Sequence, residues 1–201
     1  GINMLEDFNL QQALSAHGKE FSLPDDWGWS AQIPNVSEIK MHAETHVFGV
    51  NCADANMLTY SEMEGRRTIR AMMDIIRKYA KNGDRATLIS LCSYIGIRET
   101  YHAKTVYQIT DTDILYGKKF DDAIGNGSYR VDIHQSGSPG LTLRYLDGDE
   151  VVYNGRDNRT IGRWRENSNE NPTYYQIPYR ALVPQNIDNL LVCGRMISAQ
   201  T

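Results

Sequence analysis

The chain has little cysteine, and none of it sits in a bridging or ligand pattern. Cys52, Cys92 and Cys193 are far apart, three in number and without CxxC spacing. That excludes a disulfide framework and a zinc site from the sequence reading, and leaves them as buried reduced thiols. Basic residues are not in excess either: 21 Lys and Arg stand against 25 Asp and Glu, a net charge of −4. A nucleic-acid partner therefore gets no electrostatic support. No apolar run approaches the roughly 20 residues a membrane-spanning helix needs, so no membrane partner is expected. Internal repeats and low-complexity tracts are lacking. No signal peptide is visible, and cytoplasmic and periplasmic locations both stay open.

What is present is an ordinary globular balance. Hydrophobic residues make up 41% and charged residues 23% of 201 positions, enough apolar content for a real core and too much for disorder. Leu5, Phe8, Leu10 and Leu14 have loosely helical spacing, which predicts a helix over 5–16. Pro24, Gly28 and Pro34 mark a loop over 22–34, and loose alternation predicts a strand over 39–50. Thr59 with Glu62 forms a capping box for a helix whose Met63, Ile69, Met72, Met73, Ile76 and Tyr79 share one side. Asn82-Gly83 then ends that helix. Strands are predicted over 87–95, 101–109 and 129–134, with Thr110 and Asp113 capping a turn of helix between them. Leu141 to Tyr145 and Val151 to Tyr153 flank a turn at Asp147-Gly148 and read as a hairpin. Residues 155–173 read as an exposed polar loop. Strands outnumber helices and neighbours suit antiparallel pairing. The expected fold class is α+β, a mixed, mostly antiparallel sheet with a few packed helices.

Several residues could carry chemistry. Leu190 to Cys193 is a short apolar run that predicts a buried strand entering a turn at Gly194-Arg195. A glycine there lets a backbone approach a ligand, and the arginine can hold an anion. Gly96-Ile97-Arg98 has the same character, with Arg98 either neutralising an anionic group or pairing with Glu99 at a strand end. His134 closes its strand on the same face as Asp132, as a proton shuttle or as a structural histidine held by its neighbour. Tyr179 and Arg180 lie between Pro178 and Pro184, which confine the backbone; a site role and a rigid connection are both open. His17, His42, His46 and His102 read as surface or packing residues. Trp27, Trp29, Trp164, Tyr174 and Tyr175 fall in loops, where aromatic faces close over a core or stack on a glycan or protein ligand.

Taken in order, these segments resemble a known family. Ile177-Pro178-Tyr179-Arg180-Ala181-Leu182-Val183-Pro184 followed by Asn189-Leu190-Leu191-Val192-Cys193-Gly194-Arg195-Met196-Ile197-Ser198 is similar to the closing part of FAD-dependent oxidoreductases of a large bacterial flavoprotein family. Ile95-Gly96-Ile97-Arg98-Glu99-Thr100, Asp113-Ile114-Leu115, Phe120-Asp121-Asp122-Ala123-Ile124 and Val131-Asp132-Ile133-His134 agree in order and spacing. Leu58-Thr59 through Glu64-Gly65-Arg66-Arg67 is a weaker third block. One family element is missing. Members hold the FAD pyrophosphate on a strand, a GxGxxG turn and a helix, whereas here Gly125-Asn126-Gly127 is the nearest approach and Arg130 stands at the third glycine's position.

The resemblance implies a fragment: an N-terminal extension over 1–45, a substrate-side α+β domain over 46–175, and a segment over 176–201 returning toward an FAD-binding domain. It implies FAD for the intact protein, a small-molecule substrate passing a hydride to flavin N5, and docking to the missing FAD-binding segments. Exposed apolar surface at that junction could also drive homo-oligomers. Catalytic roles fall to Arg98, His134, Tyr179 and Arg180, and cofactor contacts to Gly96, Gly194, Arg195 and Ser198. The other reading is a non-catalytic binding or interaction domain that uses its aromatic loops.

Overall fold

The computed structural model describes residues 2–3, 8–26, 28–36, 39–98, 100–135, 137 and 139–199. The chain forms an α+β fold in two compact units. The first comprises 1–96, 135–140 and 153–159, and the second 97–134, 141–152 and 160–201. Leu5, Trp27 and Glu99, named above, lie outside the described residues.

The first unit contains β1 (Ile2–Asn3), α1 (Leu10–His17), β2 (Trp29–Gln32), β3 (Ile39–Ala43), α2 (Ala55–Tyr79) and β4 (Thr87–Leu88). Its sheet runs β2-β3-β1-β4, with each neighbouring pair antiparallel. Helix α1 starts at Leu10 because the Asn9 side chain accepts from the amide of Gln12 at 3.2 Å. It buries Leu10, Ala13 and Leu14, the i, i+3, i+4 face. These pack with Leu23, Met72, Met73, Ile75 and Ile76 in one core. Ile75 and Ile76 are wholly buried, each stabilising the fold by about 1.5–3 kcal/mol.

Helix α2 begins five residues earlier than a Thr59 cap would place it. Asp54 Oδ1 accepts from the amides of Asn56 and Met57, both at 2.9 Å. Thr59 instead bonds back to the Ala55 carbonyl at 2.8 Å, and Glu62 accepts from the Ile95 amide at 2.7 Å. The buried stripe is Thr68, Met72, Ile75 and Ile76, and Met63 is exposed. Met63 lies nine residues from Met72, about half a turn out of phase at 3.6 residues per turn. The helix stops at Tyr79, and Asn82 takes a left-handed φ of 59° before Gly83.

The second unit contains α3 (Asp111–Leu115), β5 (Ala123–Gly127), β6 (Val131–His134), β7 (Leu141–Arg144), β8 (Asp149–Tyr153), β9 (Arg159–Arg163) and β10 (Tyr175–Pro178), the tips of β8 and β9 being counted with the first unit. Strands β10 and β5 pair antiparallel, and β6-β7-β8-β9 form a second sheet in sequence order. The Thr110–Asp113 capping box is present and starts α3. Strand β7 buries Leu141 and Leu143 and alternates with half-buried Thr142 and Arg144, as a one-sided strand should.

Several segments depart from the sequence reading for related reasons, and the strand read over 39–50 is confined to Ile39–Ala43. Only Thr87–Leu88 of 87–95 pairs as strand, and Ile89 and Tyr94 beyond it are exposed. Residues 101–109 make only isolated bridges, at Thr105–Pro184 and Ile109–Ala199. Leu190 to Cys193 is not a strand: Leu190 and Leu191 are about half exposed, and Val192 donates to the Leu182 carbonyl at 2.9 Å. An apolar run supplies side chains but not a partner strand, and without one the backbone stays irregular. Conversely, β2 (Trp29–Gln32) arises within 22–34, itself read as loop, by pairing with β3, and β9 arises within 155–173. All five of its residues are exposed, so it carries no alternation to detect. Cys92 and Cys193 are exposed rather than buried, and all three thiols are free. Among the described residues no helix is long and apolar enough to cross a membrane, and no cluster of His, Cys, Asp or Glu suits a metal ion.

Candidate functional site

The richest chemistry in the second unit gathers where β6 ends. His134 is the last residue of β6, opposite Leu141 of β7. Asp132 is two positions earlier and therefore on the same face. An Arg98 Nη1 approaches His134 Nε2 at 3.0 Å, and Asp132 Oδ1 lies 3.3 Å from the same nitrogen. Only the first contact has hydrogen-bond geometry, and Asp132 Oδ1 is buried without a donor among the described residues. A guanidinium can only donate, so Nε2 is the acceptor here. The neutral ring accordingly carries its proton on Nδ1.

The 194–199 segment docks along the chain that follows Arg98. Arg195 donates to the Ile97 carbonyl, joining residues 98 positions apart. Ala103 donates its amide to Met196 at 2.9 Å, and Ile109 to Ser198 at 3.0 Å. Ser198 is buried by this pairing. Gly194 opens a short 3₁₀ turn, Gly194–Met196, with φ of 68°, and no atom lies within 4 Å of where a Cβ would stand. Its left-handed backbone and open flank are what glycine permits and other residues resist. Gly96, the last residue of the first unit, also has open space beside its α-carbon.

Tyr179 and Arg180 belong to another constellation. They form a 3₁₀ turn, Tyr179–Ala181, directly after β10. Asp122 holds that turn at three points. Its carbonyl accepts from the Tyr179 amide at 2.7 Å, Oδ2 from the Arg180 amide at 3.0 Å, and Oδ1 from the Arg180 guanidinium at 2.6 Å. The guanidinium also lies over the Tyr107 and Phe120 rings, at 5.0 and 5.3 Å. Among the described residues no bond links Tyr179 or Arg180 to Arg98 or His134. Tyr179 is 46% exposed.

Beside that turn, sequence reasoning passed over Tyr107 and Lys118. Tyr107 donates to Asp113 Oδ2 at 2.8 Å, and Lys118 Nζ lies 2.7 Å from the Tyr107 oxygen and 2.9 Å from Asp113 Oδ1. Burial works to raise the Asp113 carboxyl, but the Lys118 ammonium, the Thr110 amide and the Tyr107 hydroxyl together hold it below its usual value. Hydrogen bonding to Asp113 in turn raises Lys118. The only signal in sequence was the capping box, which names Asp113 but not its partners.

Two of the aromatics read as loop residues lie on strands, Trp29 in β2 and Tyr175 in β10, and those of the second unit are largely occupied. Trp164 donates to the Tyr145 carbonyl at 2.8 Å and meets Tyr116 edge-on at 5.6 Å. Tyr175 packs against Gly127, where an added Cβ would stand 2.4 Å from its ring, and burial pushes its phenol up.

Neither a curated protein nor a solved structure matches the chain. The family model described as FAD dependent oxidoreductase matches residues 4–201. That span includes every segment just described, and the chain belongs to the FAD-dependent oxidoreductase family.

Proposed function

We propose that this chain forms the substrate-side part of a flavin oxidoreductase, with Arg98 and His134 toward the substrate and the Gly194-Arg195 turn toward the flavin. One observation carries the reading: Arg195 is bonded to the Ile97 carbonyl, so the two family segments richest in arginine and glycine meet in one place. The residues present suit one edge of FAD. The open, left-handed Gly194 lets a flat ring approach the backbone of its turn, and Arg195 would hold an electron-rich edge of that ring. The diphosphate end finds no such fit among the described residues. Gly125 and Gly127 sit in β5, paired with β10, and not in a turn that feeds a helix. When bound, FAD accepts the hydride that the substrate gives up.

The chain's own residues then bind, orient and hold a proton. Arg98 is permanently cationic and presents a planar fork to a carboxylate or carbonyl of the substrate. His134 Nε2 is an acceptor in the present arrangement, so a substrate hydroxyl competes with Arg98 for it. Once Nε2 gains a proton it can no longer accept from Arg98. Asp132 Oδ1, 3.3 Å away and without a donor among the described residues, then receives the new N–H. Asp132 thus holds the protonated ring, and Arg98 is released toward the substrate anion. Arg180 acts as a positioning residue, fixing the 179–181 turn through Asp122, while half-exposed Tyr179 brings a hydroxyl for a hydrogen bond.

Titration of the 201-residue chain with FAD, followed by flavin fluorescence, tests this. Micromolar or weaker affinity is expected, since most FAD affinity comes from a diphosphate cradle at a helix N-terminus. Arg195→Ala should weaken it further. Submicromolar FAD binding by the chain alone would overturn the one-wall reading.

A further inference from the structure

One arginine of the second unit stands without a polar partner among the described residues. Arg98, Arg144, Arg163, Arg165, Arg180 and Arg195 each donate at least one hydrogen bond. Arg130 donates none and pairs with no carboxylate. Its Nε is buried without a partner, which buried polar atoms seldom are. Nη1 and Nη2 also lack a bond but are not buried, so the fork of the guanidinium reaches solvent from a sheltered stem.

Rings hold this guanidinium where carboxylates hold its neighbours. Its carbon lies 4.7 Å from the Tyr129 ring centre and 5.7 Å from that of Tyr145. Stacking on aromatic faces fixes the planar fork without using its N–H groups. A cation that is fixed but unpaired suits an anion, because little freedom is lost when the bond forms.

Val131 stands opposite Arg144, so Arg130 falls opposite Tyr145, in agreement with its contact with that ring. Alternation then puts Arg130, Asp132 and His134 on one face of β6 and its lead-in. Arg130 and His134 are about 13 Å apart along the chain, at about 3.3 Å per extended residue. Asp132 lies midway. The side chains of His134 and Asp132 keep 15% and 23% of their surface exposed, so the way from Arg98 and His134 to Arg130 is not closed over.

We propose that Arg130 determines specificity by binding a second anionic group, a carboxylate or a phosphate, at the far end of the substrate. This rests on Arg98 and His134 facing the near end, as proposed. The substrate class is then an elongated dianion. Its middle passes Asp132 and is uncharged, since that carboxylate repels a further negative group. A monoanion leaves Arg130 unpaired and forgoes one charge-assisted bond.

Nuclear magnetic resonance of the full chain with ¹⁵N-labelled arginine tests this. The probes are straight-chain dicarboxylates from succinate to suberate, each against the monocarboxylate of the same length, and the same chains with one end a phosphonate. At one length the dianion should bind about tenfold tighter than its monoanion, the equivalent of about 1.4 kcal/mol. It should also shift the side-chain signals of both Arg98 and Arg130. The better of carboxylate and phosphonate at that length names the group. Arg130→Gln should bring the dianion down to the affinity of the monoanion and leave the monoanion unchanged, whereas Arg98→Gln should weaken both. If Arg130→Gln does not fold, the wild-type Arg130 signal decides together with Arg130→Lys, which should keep only part of the preference. Equal affinity of dianion and monoanion at every length, or a preference that survives Arg130→Gln, overturns the role of Arg130 and leaves that of Arg98 and His134 standing. No response of Arg98 to millimolar probe, or no effect of Arg98→Gln, overturns both.

Discussion

Replacing Glu44 by glutamine removes one charge from the most deeply buried arginine–carboxylate pair among the described residues. Glu44 has a side chain with no exposed surface, and that of Arg156 is 7% exposed. The oxygen and nitrogen are 2.8 Å apart, and the guanidinium also grips the Glu44 carbonyl at 3.2 Å. The surroundings are tight: a Cβ on Gly28 would stand 2.4 Å from Glu44 Oε2. Glu44→Gln keeps shape but leaves a desolvated guanidinium without a counter-charge. Breaking one side of such a pair costs about 3–5 kcal/mol. For a chain of this size each kcal/mol shifts the midpoint by about 2–4 °C, so 4 kcal/mol corresponds to about 8–16 °C. Urea unfolding followed by far-ultraviolet circular dichroism measures the loss, provided the denaturant slope stays constant. The double variant Glu44→Gln/Arg156→Met removes both charges. It should lose less than the sum of the single variants, by a coupling of about 0.5–3 kcal/mol. A single-variant loss under about 1 kcal/mol, or strict additivity, would refute the claim that this pair is desolvated and coupled.

Three further outcomes are expected. Gly83→Ala places a Cβ 2.3 Å from the Ile76 carbonyl and 2.8 Å from that of Arg77; it should cost about 1–3 kcal/mol in urea unfolding, because a backbone carbonyl cannot step aside. Asp113 has a lowered folded value, so its stabilisation is fully present above its unfolded value near pH 4 and is lost as pH falls through the folded one. Asp113→Asn should therefore cost about 0.5–2 kcal/mol at neutral pH and flatten the loss of stability as pH falls below about 4, measured by unfolding at successively lower pH. Gly194→Ala meets no neighbour but must hold φ near 68°, at about 1–2 kcal/mol; flavin titration of the same variant should show weaker binding than that stability change alone explains.

The α+β class, the α3 capping box, the β7–β8 hairpin and the long helix near Met72 were legible in the sequence. Each rests on contacts within a few residues, which spacing and turn chemistry encode directly. The order of family segments likewise identified the kind of protein without coordinates. Tertiary structure decided the rest. It kept Leu190 and Leu191 out of a strand and made a strand of the exposed Arg159–Arg163 segment, because hydrogen-bond partners far along the chain cannot be read from side-chain pattern. It joined Arg98 to His134 and Arg195 to Ile97, and tied Arg180 to Asp122. It also turned His42, read from the sequence as a surface or packing residue, into a buried ring with Nδ1 held by Glu44 and Nε2 without a partner among the described residues. A side chain's chemical type is local, but which charge faces it and whether water reaches it depend on residues more than a hundred positions away, as Glu44 and Arg156 show.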